Sequence, residues 1–198
     1  MSSIVVAVIS LYASVLSTVR RLSFFAQVYI WQGKVYLDSE VRFAHPVSFQ
    51  GCGSVYLQRK VILGYKLSGA SRSPILLQPR TSDAAIRIGS GSIVVNGTEI
   101  IALNSVTIGE NCRIGARTII FDSDFHGIRP DARDTPGIIG SVVIKNNVWV
   151  GADAMILKNV TIGQDAVVAA RCVVTKNVPA GAIVAGNPMK VVGSVYDR

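Results

Sequence analysis

From Ile144 onward, every sixth residue is aliphatic or alanine: Ile144, Val150, Ile156, Ile162, Val168, Val174 and Ala180. Four places after each leading residue but the last stands a second small or branched one: Val148, Ala154, Val160, Ala166, Cys172 and Val178. The same phase runs back through Ile120, Ile114 and Ile108, with Thr118 and Cys112 as second positions. Upstream it slips to Ile88, Val94, Ile100 and Val106, with Ser92, Thr98 and Asn104 as small partners, and slips again to Leu37, Phe43, Phe49, Val55 and Val61. A period of six fits neither a 3.6-residue helix nor a simple alternating strand. It fits a triangular prism in which each step is one short strand and one tight corner, and three steps close a coil. Gly151 and Gly163 follow two leading positions, and Asn146, Asn147, Asn159 and Asn177 fall where the corners need residues that tolerate positive φ. The repeat covers residues 31–185, with breaks near 64–75, 101–107 and 121–141. At ~4.8 Å per stacked strand this predicts about eight coils and ~40 Å of prism.

Before the repeat, Ile4–Val19 is apolar apart from Ser10, Ser14, Ser17, Thr18 and the semi-polar Tyr12. It is shorter than the ~20 residues of a spanning helix. No basic residue precedes it, so a signal peptide is not expected. As a helix it places Ser3, Ser10, Ser14, Ser17 and Arg21 along one side. Two roles stand open: lying in a membrane interface, or covering the open end of a solenoid. The expected organisation is an apolar helix over residues 1–30, an all-β parallel β-helix over 31–185 interrupted by a loop at 121–141, and a tail at 186–198.

Composition narrows the function. At 49% hydrophobic residues the chain has material for a sizeable core, which excludes a purely disordered role. The 18 glycines follow no three-residue period, which excludes collagen. Cys52, Cys112 and Cys172 are isolated; they make neither a disulfide framework nor a zinc site, and they fit a reducing, cytoplasmic compartment. Cys112 and Cys172 also sit on inward positions, which points to packing. No metal is expected. Most of the net charge of +8 lies in residues 1–80, where Arg20, Arg21, Lys34, Arg42, Arg59, Lys60, Lys66, Arg72 and Arg80 face only Asp38 and Glu40. No aromatic-interleaved basic motif accompanies them, so an anionic membrane or substrate is expected rather than nucleic acid.

The segment Val142–Val192 reads VVIKNNVWVGADAMILKNVTIGQDAVVAARCVVTKNVPAGAIVAGNPMKVV. It resembles the C-terminal half of the galactoside and maltose acetyltransferases and of their relatives that O-acetylate polysaccharides. The resemblance implies a left-handed β-helix, a homotrimer, acetyl coenzyme A as co-substrate and a sugar hydroxyl as acceptor. It implies His126, in Asp122-Ser123-Asp124-Phe125-His126-Gly127, as the catalytic base. The chemistry agrees: a hydroxyl is a poor nucleophile, and an imidazole, with a reference pKa of ~6.5, takes its proton as it attacks a thioester. His126 also stands at the edge of a long polar interruption, and such loops are usually functional. His45, before Pro46, reads as a turn residue.

Either Asp124 or Asp122 is placed to hold the imidazole in one tautomer, with Asp124 preferred and a corner-capping role as the alternative. By the same resemblance, Asn96 contacts the acceptor and Trp149 lines the groove. The backbone of Ala152 lies near the thioester carbonyl, and that of Ala170 near the pantetheine amides. Thr175 and Lys176 meet the coenzyme phosphates, with Lys190 and Arg171 adding positive charge. Arg171 stands where the family has glycine, so it either crowds the pantetheine or adds a phosphate contact. A γ-class carbonic anhydrase needs three histidines, and this chain has 2. A serine acetyltransferase needs a larger helical domain. Two alternatives stay open: a non-enzymatic scaffold, which leaves the histidine-bearing loop unexplained, and an acetyltransferase for a small-molecule or xenobiotic acceptor, although that subfamily's acceptor-loop motif is not seen here. The preferred setting is cell-surface polysaccharide synthesis, with peripheral membrane contact through residues 4–21.

Overall fold

A computed structural model describes residues 3–65 and 72–197. Lys66, one of the bases counted above, lies outside the described residues, as do the side chains of residues 3–11, among them Ser3 and Ser10. The strands wind as a left-handed parallel β-helix with three walls. The first wall holds β1 (Lys34–Leu37), β4 (Ser54–Leu57), β7 (Ala85–Ile88), β10 (Ser105–Ile108), β13 (Ser141–Ile144) and β16 (Val160–Ile162). The second holds β2 (Arg42–Phe43), β5 (Ile62–Leu63), β8 (Ile93–Val94), β11 (Arg113–Ile114), β14 (Trp149–Val150), β17 (Val167–Val168), β19 (Ala182–Ala185) and β20 (Lys190–Ser194). The third holds β3 (Val47–Phe49), β6 (Ile75–Pro79), β9 (Glu99–Ala102), β12 (Ile119–Phe121), β15 (Met155–Ile156) and β18 (Val173–Val174).

The leading positions of the repeat point inward and stack in register. Leu57, Ile88, Ile108, Ile144 and Ile162 form one column on the first wall, with Val55, Ile86, Val106, Val142 and Val160 beside it. Every one of them is 0 or 1% exposed. Full burial of each such side chain contributes ~1.5–3 kcal/mol. Cys112 and Cys172 are 0% exposed, as their inward positions require. Burial pushes the Cys112 thiol pKa up. Exceptions fall at irregular corners: Asn104 and Ala180 are exposed.

The prism is shorter than the sequence suggests. The described residues form six three-stranded coils and the start of a seventh, not eight. At ~4.8 Å per coil the six span ~29 Å. Two connections, between β5 and β6 and between β12 and β13, consume chain without adding to the walls. The phase slip near 101–107 has a different origin. Ala85 pairs with Ser105, a coil of 20 residues, whereas Val142 pairs with Val160, a coil of 18. Val106 and Ile108 therefore both face inward on β10, and the slip is a two-residue difference in corner length. At the corners, Asn147 and Asn159 adopt φ of 56° and 60° as expected. Asn146 and Asn177 instead accept backbone N–H bonds from Glu110 (2.9 Å) and Thr161 (2.8 Å).

One helix, α1 (Ser3–Ile30), precedes the prism. Its last third closes the open end. Phe24 is 0% exposed, with its ring 5.3 Å from Phe43 and 5.8 Å from Phe49. Polar side chains on the same face satisfy backbone groups that no earlier coil pairs. The Gln27 carbonyl oxygen accepts from Phe49 N–H (3.0 Å), and Arg20 donates to the Ala44 carbonyl (2.6 Å). The outward side of the helix carries Tyr12, Val15, Val19 and Leu22, between 53 and 65% exposed. Among the described residues no helix is long and apolar enough to cross a membrane. At the other end, residues 186–197 are not a free tail: β20 pairs antiparallel with β19, and the Tyr196 hydroxyl donates to Asp165 (3.0 Å).

Phe24→Ala is expected to destabilise the protein by about 3–5 kcal/mol, the range for truncating a buried aromatic. Leu22→Ala, on the exposed side, is expected to stay within ~0.5 kcal/mol. Urea unfolding of both variants measures the difference, and equal effects would contradict the capping role.

Candidate functional site

The loop 122–140 leaves the edge where the third wall turns into the first. Asp122 roots it there. This carboxylate is 0% exposed and accepts from the N–H groups of Leu103 and Asn104, 2.8 Å each, on the coil below. The two limbs of the loop then run side by side. Ser123 bridges Ile139, Asp124 N–H donates to the Ile138 carbonyl (3.1 Å), and Gly127 N–H donates to that of Thr135 (3.1 Å). Gly127 cannot be replaced cheaply, since a Cβ there would meet the Ala132 carbonyl oxygen at 2.1 Å.

His126 sits at the turn of this structure, exposed to solvent. Its Nδ1 lies 2.9 Å from the Arg133 carbonyl oxygen. A carbonyl only accepts, so in the neutral ring Nδ1 carries the hydrogen and Nε2 is left as the acceptor. Nε2 has no partner among the described residues. This is the arrangement a general base needs. The orienting group is not the one expected. Asp124 forms an ion pair with Lys158, from the next coil up, and does not hold the imidazole. Asp122 has the corner-capping role. Both carboxylates are thus spent on fixing the loop, and a backbone oxygen fixes the ring.

The other expected residues divide between two edges of the prism. Thr175 and Lys176 follow β18 and share the third-to-first edge with the His126 loop and Lys158; both are exposed. Asn96, Ala152, Ala170 and Arg171 stack instead on the second-to-third edge, after β8, β14 and β17. Lys190 opens β20 on the second wall. Trp149, also on the second wall, is 59% exposed, between Arg113 and Val167 in the register. A whole wall, roughly 15 Å of extended chain, separates His126 from Ala152 and Ala170 within one chain.

On that second edge the amides of Ala152 and Ala170 lie directly over glycines. A Cβ on Gly115 would meet Ala152 N at 2.5 Å, and one on Gly151 would meet Ala170 N at 2.5 Å. Asn96 is 6% exposed and its side-chain oxygen accepts from Tyr65 N–H (2.9 Å), so it secures the chain after β5. Arg171 takes φ of 60°, the conformation in which glycine costs least, and its N–H donates to the Ala152 carbonyl (2.9 Å). Sequence reasoning missed the Arg117–Asp153 pair beside Ala152, a two-pronged bond of 2.7 Å on each prong. The guanidinium holds the Asp153 carboxyl below the usual carboxylate range. Its signal was the repetition of Gly115-Ala116-Arg117 as Gly151-Ala152-Asp153 on adjacent coils. Lys158 and the Arg133 carbonyl were missed as well.

Two features stand apart from this site. His45 lies 3.0 Å from the Ser73 carbonyl, in keeping with a turn role. An open groove of about 670 Å³ between Glu40, Arg42, Lys60, Ile62 and Arg113 runs along the remaining edge and holds none of the expected residues. Among the described residues no group of three or more His, Cys, Asp or Glu is placed to hold a metal ion.

Comparison with known proteins follows the same division of the chain. The family model for the bacterial transferase hexapeptide (six repeats) matches residues 141–176, and that for the hexapeptide repeat of succinyl-transferase matches 105–129. A 2,3,4,5-tetrahydropyridine-2,6-dicarboxylate N-acetyltransferase of Staphylococcus aureus (strain MRSA252) is 37% identical over 86 residues, 43% of this chain and 32% of that protein. The chain thus spans about a third of the length of the curated relatives it matches. A hexapeptide-repeat containing acetyltransferase of Vibrio cholerae O1 biovar eltor, solved with acetyl coenzyme A, superposes with a TM-score of 0.54 at 29% identity, over 62% of this chain and 69% of that one. A galactoside acetyltransferase in complex with coenzyme A gives 0.56 at 26% identity, over 70% and 66%. Repeat, walls and likenesses agree, and the chain is a hexapeptide-repeat protein that resembles the acetyltransferases built on this β-helix.

Proposed function

We propose that this protein transfers an acetyl group from acetyl coenzyme A to a sugar hydroxyl, with His126 as the general base. The observation that carries this reading is the bond from His126 Nδ1 to the Arg133 carbonyl, which leaves Nε2 as a free acceptor on an exposed loop. In this reaction Nε2 takes the hydroxyl proton while the alcohol oxygen attacks the thioester carbonyl. The oxyanion so formed accepts a bond from the Ala152 N–H. Collapse expels the thiolate, which recovers the proton from the imidazolium. Ala170 N–H bonds the pantetheine, Trp149 covers the groove, and Asn96 borders the acceptor. Thr175, Lys176, Lys190 and Arg171 bring donors and charge to the phosphates. The solved relatives described with coenzyme A or its acetyl ester support the donor, and the galactoside acetyltransferase supports a sugar acceptor.

The name of the staphylococcal relative favours a second reading, acetyl transfer to an amine. An ammonium group also has to lose a proton before it attacks, so the same base serves both. Parallel assays with labelled acetyl coenzyme A, against nucleotide sugars, oligosaccharides and lipid-linked sugars on one side and amino sugars and amino acids on the other, separate them.

The division of the residues between edges supports a homotrimer. The His126 edge of one prism completes a site only when it meets the Ala152–Ala170 edge of another. For location, the outward apolar side of α1, beside Arg21 and the basic first coils, fits the anionic cytoplasmic face of a membrane, where apolar burial and charge attraction add. Cell-surface polysaccharide precursors are the acceptors available there.

His126→Ala is expected to lower turnover by about 10²-fold or more, with coenzyme binding by calorimetry and the unfolding midpoint unchanged. Near-normal turnover would overturn the assignment. For the shared site, His126→Ala co-expressed with Ala170→Trp is expected to regain about a quarter of wild-type activity by random assortment in a cyclic trimer. An active monomer by light scattering, or no recovery, would contradict it. For location, the protein is expected to float with anionic liposomes at low salt and to lose this on Val15→Glu/Val19→Glu. Binding unchanged by those substitutions, or absent from the start, would remove the membrane from the picture.

A further inference from the structure

The conformation that aims His126 is one the local chain does not favour. Phe125, immediately before it, has φ of 62°, in the left-handed region that side chains with a Cβ disfavour. Within the turn its N–H donates to Ser123 Oγ (2.9 Å); contacts from outside the turn hold it as well, and they differ on its two sides. On the ring side, Phe125 packs at 5.6 Å from Phe121, with the Arg80 guanidinium 5.3 Å over its face. On the other side is Asp124, whose one bonded oxygen is held by Lys158 and whose second oxygen is buried without a partner. The two limbs of the loop also touch at Asp124. Its N–H bonds Ile138, and a Cβ on Gly137 would meet Asp124 Cβ at 2.9 Å.

We propose that Lys158 is the positioning residue for His126: by gripping Asp124 from the next coil, it holds Phe125 in its left-handed turn and so keeps His126 Nδ1 on the Arg133 carbonyl. Lys158 lies right after β15, on a corner fixed by the prism, and its side chain is 22% exposed, as is that of Asp124. The pair thus ties a loop, the least constrained part of the chain, to the wall, the most constrained. With the ammonium removed, the carboxylate keeps no side-chain partner and turns toward water. The limbs then separate at Asp124 and the strain at Phe125 relaxes. His126 is left free to take either tautomer.

This inference rests on the acyltransferase reading for its kinetic part only. The direct test is the tautomer of His126, read by nitrogen NMR of histidine-labelled protein. His45 is the only other histidine, so His126→Ala assigns the signals. Wild-type protein is expected to show one neutral form with the hydrogen on Nδ1, and Lys158→Met an averaged pair. Lys158→Arg, which keeps the charge, is expected to restore the single form. If Lys158→Met does not fold, Lys158→Gln is read in its place, with the same outcomes. A single Nδ1–H form in the uncharged variant overturns the proposal. In the acetyl-transfer assay, Lys158→Met is expected to lower kcat by about 10- to 100-fold, the scale for a misplaced catalytic group, with KM for acetyl coenzyme A little changed. In a His126→Ala background it should have no further effect. An equal loss in that background would mean that Lys158 acts directly on substrate, and would overturn positioning through His126. Absence of acetyl transfer by wild-type protein would sink the acyltransferase reading and leave the tautomer to decide the clamp.

Discussion

Everything in this molecule depends on keeping three stacks of short parallel strands in register at once. The interior of the prism takes inward side chains from all three walls, and the columns through Ile108 and Val106 are buried from coil to coil. A residue added within a strand would turn the following side chains to the wrong face. Added chain is therefore admitted only at corners, and both long connections leave from corners. Chemistry follows the same rule. The walls are fully engaged in pairing, so His126, the stacked amides of Ala152 and Ala170, and the charged pairs Arg117–Asp153 and Asp124–Lys158 all lie at edges.

The same constraint explains why the fold could be read from the sequence. A leading residue that faces inward once per six positions leaves a trace that survives wherever corner length is constant, and from Ile108 to Val174 each such residue is buried. The trace fails where corners change length. Val106 and Ile108 are both inward because one corner is longer, and a six-residue count records this only as a slip. Chain that lies off the walls is also invisible to a count of residues per coil, which is why eight coils were expected where six complete ones stand.

At the candidate site, the sequence exposed residue types and concealed geometry. His126 stood out by its resemblance to the family's catalytic histidine and by its place at the edge of a long polar interruption. Its orienting partner did not, because a backbone carbonyl belongs to every residue and Arg133 is marked by nothing in its side chain. Asp124 looked like the partner by proximity in sequence, yet the cation it meets is 34 positions away. Arg171 reads as a departure that either crowds the pantetheine or adds a phosphate contact. Its φ of 60° is the conformation in which glycine costs least, and its side chain stands exposed.

The orientation of α1 carries the argument one step further. A helix that only covered a solenoid would turn its apolar side to the core and its polar side to water. Here the open coil presents unpaired backbone groups around a small apolar centre, so the inward face needs Arg20 and Gln27 at the rim and only Phe24 and Val28 in the middle. Capping is complete with those few residues. It gives no reason for Tyr12, Val15, Val19 and Leu22 to line the opposite side, where water meets them. Four large apolar side chains at helical spacing, exposed together, form a patch of the kind that marks contact with another surface. The positive charge of the adjoining first coils favours an anionic one. The two roles left open by the sequence are therefore not rivals: one belongs to the inward face of the helix, and the other is proposed for its outward face.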